Sequence, residues 1–391
     1  MKKLFKDTMA VMLVTVFSFF MVTVVAQEIP ETNISMYNLS WSNCSSPEMA
    51  DELYDIAFVG TYSVDVALNG FAGAPSPTEL TFLSDCKITT GGGACNAAIA
   101  AARMGDGIKT LAVGVIGEDE QANIILKKLK EENVDTAGLI QNKNTGTGTT
   151  ILFIPSNGKT LGVTFVGGNG TVSFSPKVME KLLQSKVVVI SELFLLPNME
   201  KDMKEMLSIL KIMKKTIVVD TSANVRNFAI EDTINLLSGV APFIDYFIPN
   251  SFEAEVITGE KDIEIQSQKL ENLGFRNVII KNGSEGALVK QTGKEPKIIP
   301  AIKTICVDSA GAGDAFVGGF SYGLAKGKSV EDAVLLGNVL GCLCVGQIGA
   351  STGISKEKAD NIFSKLGLNF NSNARYGIQF SPEFQLEERL S

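Results

Sequence analysis

The sequence predicts a doubly wound α/β protein, in which a mainly parallel β-sheet is sandwiched by helices and carries a small β-lid. Three observations point there. Short β-branched apolar runs recur from about Leu53: IAFVG (56–60), KTLAVGVIG (109–117), VVVIS (187–191), TIVVD (216–220), YFIPN (246–250) and NVIIKNG (277–283). Helix-like stretches at 94–104, 118–132, 198–214, 313–326 and 329–345 alternate with them, the rhythm of a parallel sheet covered on both faces. Two segments, 66–90 and 148–170, break that rhythm with alternating patterns and Gly/Pro turns, and read as the hairpins of the lid.

In chain order, the N-terminus stands apart. MKKLFKD is followed by Met9–Ala26, eighteen residues without a charge. A basic start, an apolar run and a small residue at its end read as a secretory signal peptide over 1–26, with an uncleaved signal anchor as the alternative. Lys2, Lys3 and Lys6 before the run, and Glu28 and Glu31 after it, put the domain across the membrane. That implies the secretory pathway or membrane attachment through this segment alone, with the cytosol as the other possibility. A polar linker over 27–52 carries sequons at Asn33, Asn38 and Asn43. The folded domain spans 53–366, and a polar tail follows over 367–391.

Composition narrows the chemistry. Net charge is −8 and the basic residues are dispersed, which argues against a nucleic-acid partner. The chain has no histidine, so Ser-His-Asp and Cys-His triads and His-based zinc sites are excluded and proton transfer falls to other side chains. The six cysteines show no C-x-x-C spacing and read as free thiols.

In a doubly wound sheet, ligands sit beyond the carboxyl ends of the strands, and four motifs lie there. DSAGAGD (308–314) places small residues before a helix, so that backbone N–H groups and the helix dipole form an anion hole beside Asp314. The plainer reading is a tight strand-to-helix turn. GGGACNAA (91–98) opens an Ala-rich helix with room for a small ligand next to Asn96, or serves close helix packing. PNSFE (249–253) sets Asn250 and Glu253 three apart, where they could hold a hydrated Mg²⁺ or cap a helix. KNGSEG (281–286) is a strand-turn-strand that lets a nucleotide lie on bare backbone, or a simple hairpin.

Taken together and in this order, the motifs over roughly 55–353 resemble the ribokinase-like (PfkB) carbohydrate kinase family. The resemblance implies a kinase transferring the γ-phosphoryl group of ATP to a primary hydroxyl of a ribose- or fructose-like sugar. Asp314 is then the general base, with the backbone of Ala310, Gly311, Ala312 and Gly313 stabilising the moving phosphoryl. Asp65 grips sugar hydroxyls, Gly92 and Asn96 complete that pocket, and Glu192 adds a contact. Asn250, Lys281, Gly283 and Gly286 line the nucleotide, and Asn338 lies near the adenine. Glu253 holds Mg²⁺ through water, and Asp308, Ala310 and Gly349 fall where family members bind a monovalent cation such as K⁺.

The chain departs from the family pattern in two places. Lys281 stands where Thr is usual, and Gly93 where ribokinases carry Lys; the second implies an unphosphorylated sugar. Two rivals remain at this stage. A nucleoside kinase would need an aromatic clamp from Phe71, Phe82 or Phe165, and a secreted non-catalytic binder would fit the signal-like N-terminus. The NGS sequon at Asn282, inside the nucleotide segment, would place a glycan against ATP. An exposed lid edge favours a homodimer.

Overall fold

The computed structural model describes residues 52–73, 78–155, 161–221, 230–347 and 349–368. The expectations for 1–51 and for the tail beyond 368 fall outside them. One sheet has the strand order β13-β12-β11-β10-β9-β8-β1-β4-β5. Its central strands are β1 (Tyr54–Val59), β4 (Thr110–Ile116), β8 (Ser185–Ile190), β9 (Thr216–Asp220), β10 (Tyr246–Ile248) and β11 (Asn277–Lys281). Each is one of the apolar runs, and all pair in parallel. Strand β4 is buried along its whole length, because helices cover both faces and no residue can turn to solvent.

The edges were less legible. β5 (Val134–Gln141) pairs in parallel beside β4, but its VDTAGLIQ alternates exposed and buried positions and lacks a β-branched run. At the other edge β12 (Ala287–Gln291) and β13 (Lys297–Ile299) turn antiparallel.

A second sheet, ordered β3-β2-β6-β7, comes from the two irregular segments: β2 (Ser63–Asn69), β3 (Asp85–Gly91), β6 (Gly148–Ile154) and β7 (Leu161–Phe165). Register assigns its faces. Asp65 aligns with Thr89 and Thr150, and Thr150 with Thr164. The alternate positions Val66, Ile88, Ile151, Val163 and Leu161 therefore share the opposite face, where Leu161 and Val163 are each 61% exposed. The root of this lid is clamped. Thr147 donates to Asp119 from its N–H (2.7 Å) and its hydroxyl (2.5 Å), and Gly117 N donates to the same hydroxyl at 2.9 Å.

The helices are α1 (Gly93–Ala102), α2 (Glu120–Glu131), α3 (Pro176–Leu183), α4 (Met203–Ile212), α5 (Ile230–Val240), α6 (Ser251–Thr258), α7 (Ile263–Asn272), α8 (Ala312–Ala325), α9 (Val330–Val345) and α10 (Lys356–Lys365). Asp119 caps α2, accepting from Ala122 N at 2.9 Å. Helix α8 crosses α1 closely, since a Cβ at Gly318 would lie 2.5 Å from Ala97 O. The later glycines of AFVGGF thus serve helix packing, whereas Gly311 and Gly313 lie where α8 begins. Chain order reverses around β1, whose neighbours are β8 and β4, so the carboxyl ends of these strands form the crevice where a ligand site is expected.

Candidate active site

The strand ends converge on one acidic centre. After β1 comes Thr61, after β8 Glu192, β9 ends on Asp220, β11 ends on Lys281, and α8 brings Asp314 in its first turn. The lid adds Asp65 from β2.

Asp314 lies at the start of α8, whose N-cap Gly311 adopts φ 75°. A Cβ at Gly311 would collide with Ala350, so the turn that aims the following N–H groups outward requires glycine. The first-turn N–H groups have no acceptor within the helix and carry the positive end of its dipole. Asn96 Nδ2 donates to Asp314 Oδ2 at 2.8 Å, while the buried Asn96 Oδ1 has no partner among the described residues. A buried acceptor without a donor is costly, and a substrate hydroxyl would supply one. Burial raises Asp314 above the usual carboxylate range, against the lowering influence of Asn96 and Lys281.

The glycine run before α1 has an unexpected explanation. Its expected purpose was room for a ligand; in the structure that room is filled by acids. A Cβ at Gly91 would fall on the Asp65 carboxylate, and one at Gly93 would lie 2.8 Å from Glu192 Cγ. Glu192 holds φ 57°, a left-handed conformation rare outside glycine and typical of functional sites. Its Oε2 accepts from Gly93 N at 2.8 Å and from the Thr61 hydroxyl. Burial first, and the Asp314 charge second, push Asp65 up to about 6 and Glu192 up to about 8. Gly92 sits between them with φ 89° as the N-cap of α1.

On the nucleotide side, Lys281 Nζ is 2.5 Å from Asp220 Oδ1, the two side chains being 12% and 4% exposed. Burial pushes Asp220 up to about 7 despite this partner. Behind them Asn250 and Glu253 form a reciprocal capping box on α6, and Glu253 Oε2 also accepts from the Thr221 hydroxyl at 2.6 Å. Glu253 is 2% exposed. Among the described residues, no cluster of three or more acidic or sulfur side chains is arranged to hold a metal.

Asn338 stands apart from this centre. Its Nδ2 donates to Ile299 O and Pro300 O, both at 3.0 Å. A Cβ at Gly286 would collide with the same 299–301 segment. Chain crossing by itself therefore requires glycine at 286, while Gly283 (φ 56°) faces open space. The three cation-site positions do come together: Asp308 accepts from Ala310 N and Gly349 N, each at 3.0 Å. The Cys344 thiol donates to Ala310 O (3.4 Å) and Ala350 O (3.1 Å) just beneath. Of the aromatics weighed as a base clamp, Phe165 falls by register on the lid face opposite Asp65, Phe82 is exposed, and Phe71 packs against Phe153 at 4.7 Å. The described cysteines are free.

Sequence reading missed Asp220, Thr61 and Thr221. Asp220 had a signal, because it closes TIVVD as Glu192 follows VVVIS. The reach of Lys281 to it did not, since nothing in the chain indicates where a lysine head will point.

Comparison with known proteins agrees with this geometry. The model of the pfkB family carbohydrate kinases matches residues 55–357. The ribokinase of Staphylococcus aureus is 29% identical over 306 residues, covering 76% of this chain and 96% of that one. The ribokinase of Lactococcus lactis is 27% identical over 311 residues, covering 77% and 94%. The structure of Arabidopsis thaliana ribokinase complexed with ribose and ATP superposes with a TM-score of 0.70 at 21% identity, covering 78% of this chain and 97% of that one. With the motifs, the fold and the match over most of its length in agreement, the chain belongs to the PfkB family of carbohydrate kinases, phosphotransferases that act on an alcohol group.

Proposed function

We propose that the protein transfers the γ-phosphoryl group of ATP to a primary hydroxyl of an unphosphorylated, ribose- or fructose-like sugar. The observation that carries this reading is Asp314: a carboxylate beside the N–H cradle of α8, tied through Asn96 to the pocket that Asp65 and Glu192 enter. ATP supplies the activated phosphoryl group; the chain supplies positioning and charge.

Asp65, Glu192 and the unpartnered Asn96 Oδ1 orient the acceptor hydroxyls toward Asp314. Asp314 accepts the proton of the attacking hydroxyl, and the N–H groups of 311–313 receive the charge spread over the phosphoryl oxygens. The lid excludes water and limits futile hydrolysis. The acids over Gly91 and Gly93 fill the space that a phosphate on the acceptor would need. In this reading Glu253 would reach a hydrated Mg²⁺ through water, a K⁺ would sit at Asp308, Ala310 and Gly349, and two copies associate through the outer lid face.

The test is turnover of ATP by the full-length protein against a panel of sugars, sugar phosphates and nucleosides, with Mg²⁺ and with or without K⁺. One or a few neutral sugars are expected as acceptors. Asp314→Asn is expected to lower kcat by roughly 10²–10⁴-fold with ATP affinity within twofold. Turnover with nucleosides alone, or an active Asp314→Asn variant, would overturn the assignment.

A further inference from the structure

We propose that Lys281 is a catalytic residue of the phosphoryl transfer, its ammonium aimed by Asp220 at the charge that develops opposite the anion hole. This rests on the kinase reading above and adds a cation to a cradle otherwise made of backbone.

The placement is direct. Lys281 ends β11, and its backbone joins β10 through an N–H bond to Pro249 O at 2.9 Å. Its side chain reaches the end of β9. There Nζ meets Asp220 Oδ1 at 2.5 Å, and it lies 3.5 Å from where a Cβ on Gly313 would stand. Gly313 is in the first turn of α8, so the ammonium and the N–H cradle border one space. Asp314 is close enough to both Lys281 and Asp220 to influence their ionisation.

The energetics favour a working cation over a structural one. A buried ion pair returns little net stability for its desolvation cost unless further hydrogen bonds complete it. An ammonium has three donors, and Asp220 is the only hydrogen-bond acceptor of Lys281 Nζ among the described residues. Phosphoryl oxygens entering the cradle would take the donors that remain. Charge argues the same way: Asp65, Glu192, Asp220 and Asp314 lie near a space that an anionic group must enter, and Lys281 brings a cation to its border.

Lys281 keeps its protons throughout the step. The bond from acceptor oxygen to γ-phosphorus forms, and the bond from that phosphorus to the β–γ bridging oxygen breaks, its electron pair leaving on ADP. Asp314 gains the proton. Lys281 donates to the oxygens whose charge changes, which lowers the barrier only as far as the interaction strengthens in the transition state.

The experiment compares full-length wild type, Lys281→Met, Lys281→Arg and the double variant Lys281→Met/Asp220→Asn. Equilibrium binding of ADP is measured with Mg²⁺, with and without aluminium fluoride as a mimic of the moving phosphoryl group, alongside sugar-dependent kcat. Wild type is expected to bind ADP at least tenfold more tightly with the fluoride. Lys281→Met is expected to lose that enhancement and at least 100-fold in kcat, with affinity for ADP alone within threefold. Arg should restore part, and the double variant should restore nothing.

If the double variant recovers the enhancement, Lys281 merely neutralises Asp220 and the proposal fails. It fails equally if Lys281→Met keeps the enhancement, if that variant stops binding ADP alone, or if wild type shows no enhancement. Absence of sugar turnover in a wild type that retains the fluoride enhancement would instead overturn the sugar as acceptor and leave Lys281 as the cation that meets the moving phosphoryl group.

Discussion

Asn96 does two jobs with one amide. Its Nδ2 holds the Asp314 carboxylate at 2.8 Å, and a hydrogen bond to the ionised form favours ionisation. Burial raises Asp314, and Asn96 works against that rise. In its proposed role Asp314 must be ionised to act, so kcat/KM is expected to fall as pH drops through a value above the ordinary carboxylate figure of about 4. Asn96→Ala removes the lowering influence, so this acid limb should move to higher pH while the alkaline side stays in place. A pH–rate profile of the two proteins checks the sign, and a limb that stays put or moves down would show that Asn96 does not tune the base. At this scale the sequence was informative where a residue type had little choice of task. Asp314, Asp65 and Asn96 bring polar groups that the neighbouring Ala and Gly cannot, and the structure joins Asn96 to Asp314. Glu253 was ambiguous because an N-cap box and a metal relay use the same two residues at the same spacing; the structure shows the box, and the water-mediated Mg²⁺ contact belongs to the proposed function.

The elements were legible in proportion to their burial. Central strands are enclosed on both faces and read as continuous apolar runs, whereas β5 faces solvent on one side and the run dissolves. The lid was recognisable from alternation and turns, but its attachment was not. A single carboxylate, Asp119, caps α2 and receives both donors of Thr147 at the foot of β6. Helix and lid are thereby fixed to one point. Asp119→Ala should cost about 1 kcal/mol of stability, as the loss of an N-cap usually does. It should also loosen the lid: KM for the sugar rises several-fold and ATP hydrolysis without sugar increases, with a smaller change in kcat. An assay of ADP release with and without acceptor reads both. Unchanged acceptor-free hydrolysis would mean that the clamp serves α2 alone.

The molecule as a whole presents an imbalance on its lid. The face carrying Asp65 covers the site, while the other presents Ile88, Ile151, Leu161 and Val163 to solvent. Solvent-facing apolar groups of this extent mark interaction surfaces, and a second copy offers the same surface for a symmetric contact. Leu161→Asp/Val163→Asp is therefore expected to convert a dimer to a monomer in sedimentation experiments, leaving the thermal transition of the domain nearly unchanged. A wild type that sediments as a monomer at micromolar concentration removes the proposed homodimer.

The two carboxylates lodged over Gly91 and Gly93 also bear on how this enzyme can evolve. A lysine at 93 must evict Glu192 from its bonds to Gly93 and Thr61, yet removing Glu192 alone leaves a hollow and a Thr61 hydroxyl that has lost its acceptor. Each single step lands in a fitness valley. Selection for growth on a phosphorylated acceptor should therefore recover changes at 93 and 192 as a covarying pair, so that the choice of acceptor is locked by mutational path as much as by affinity.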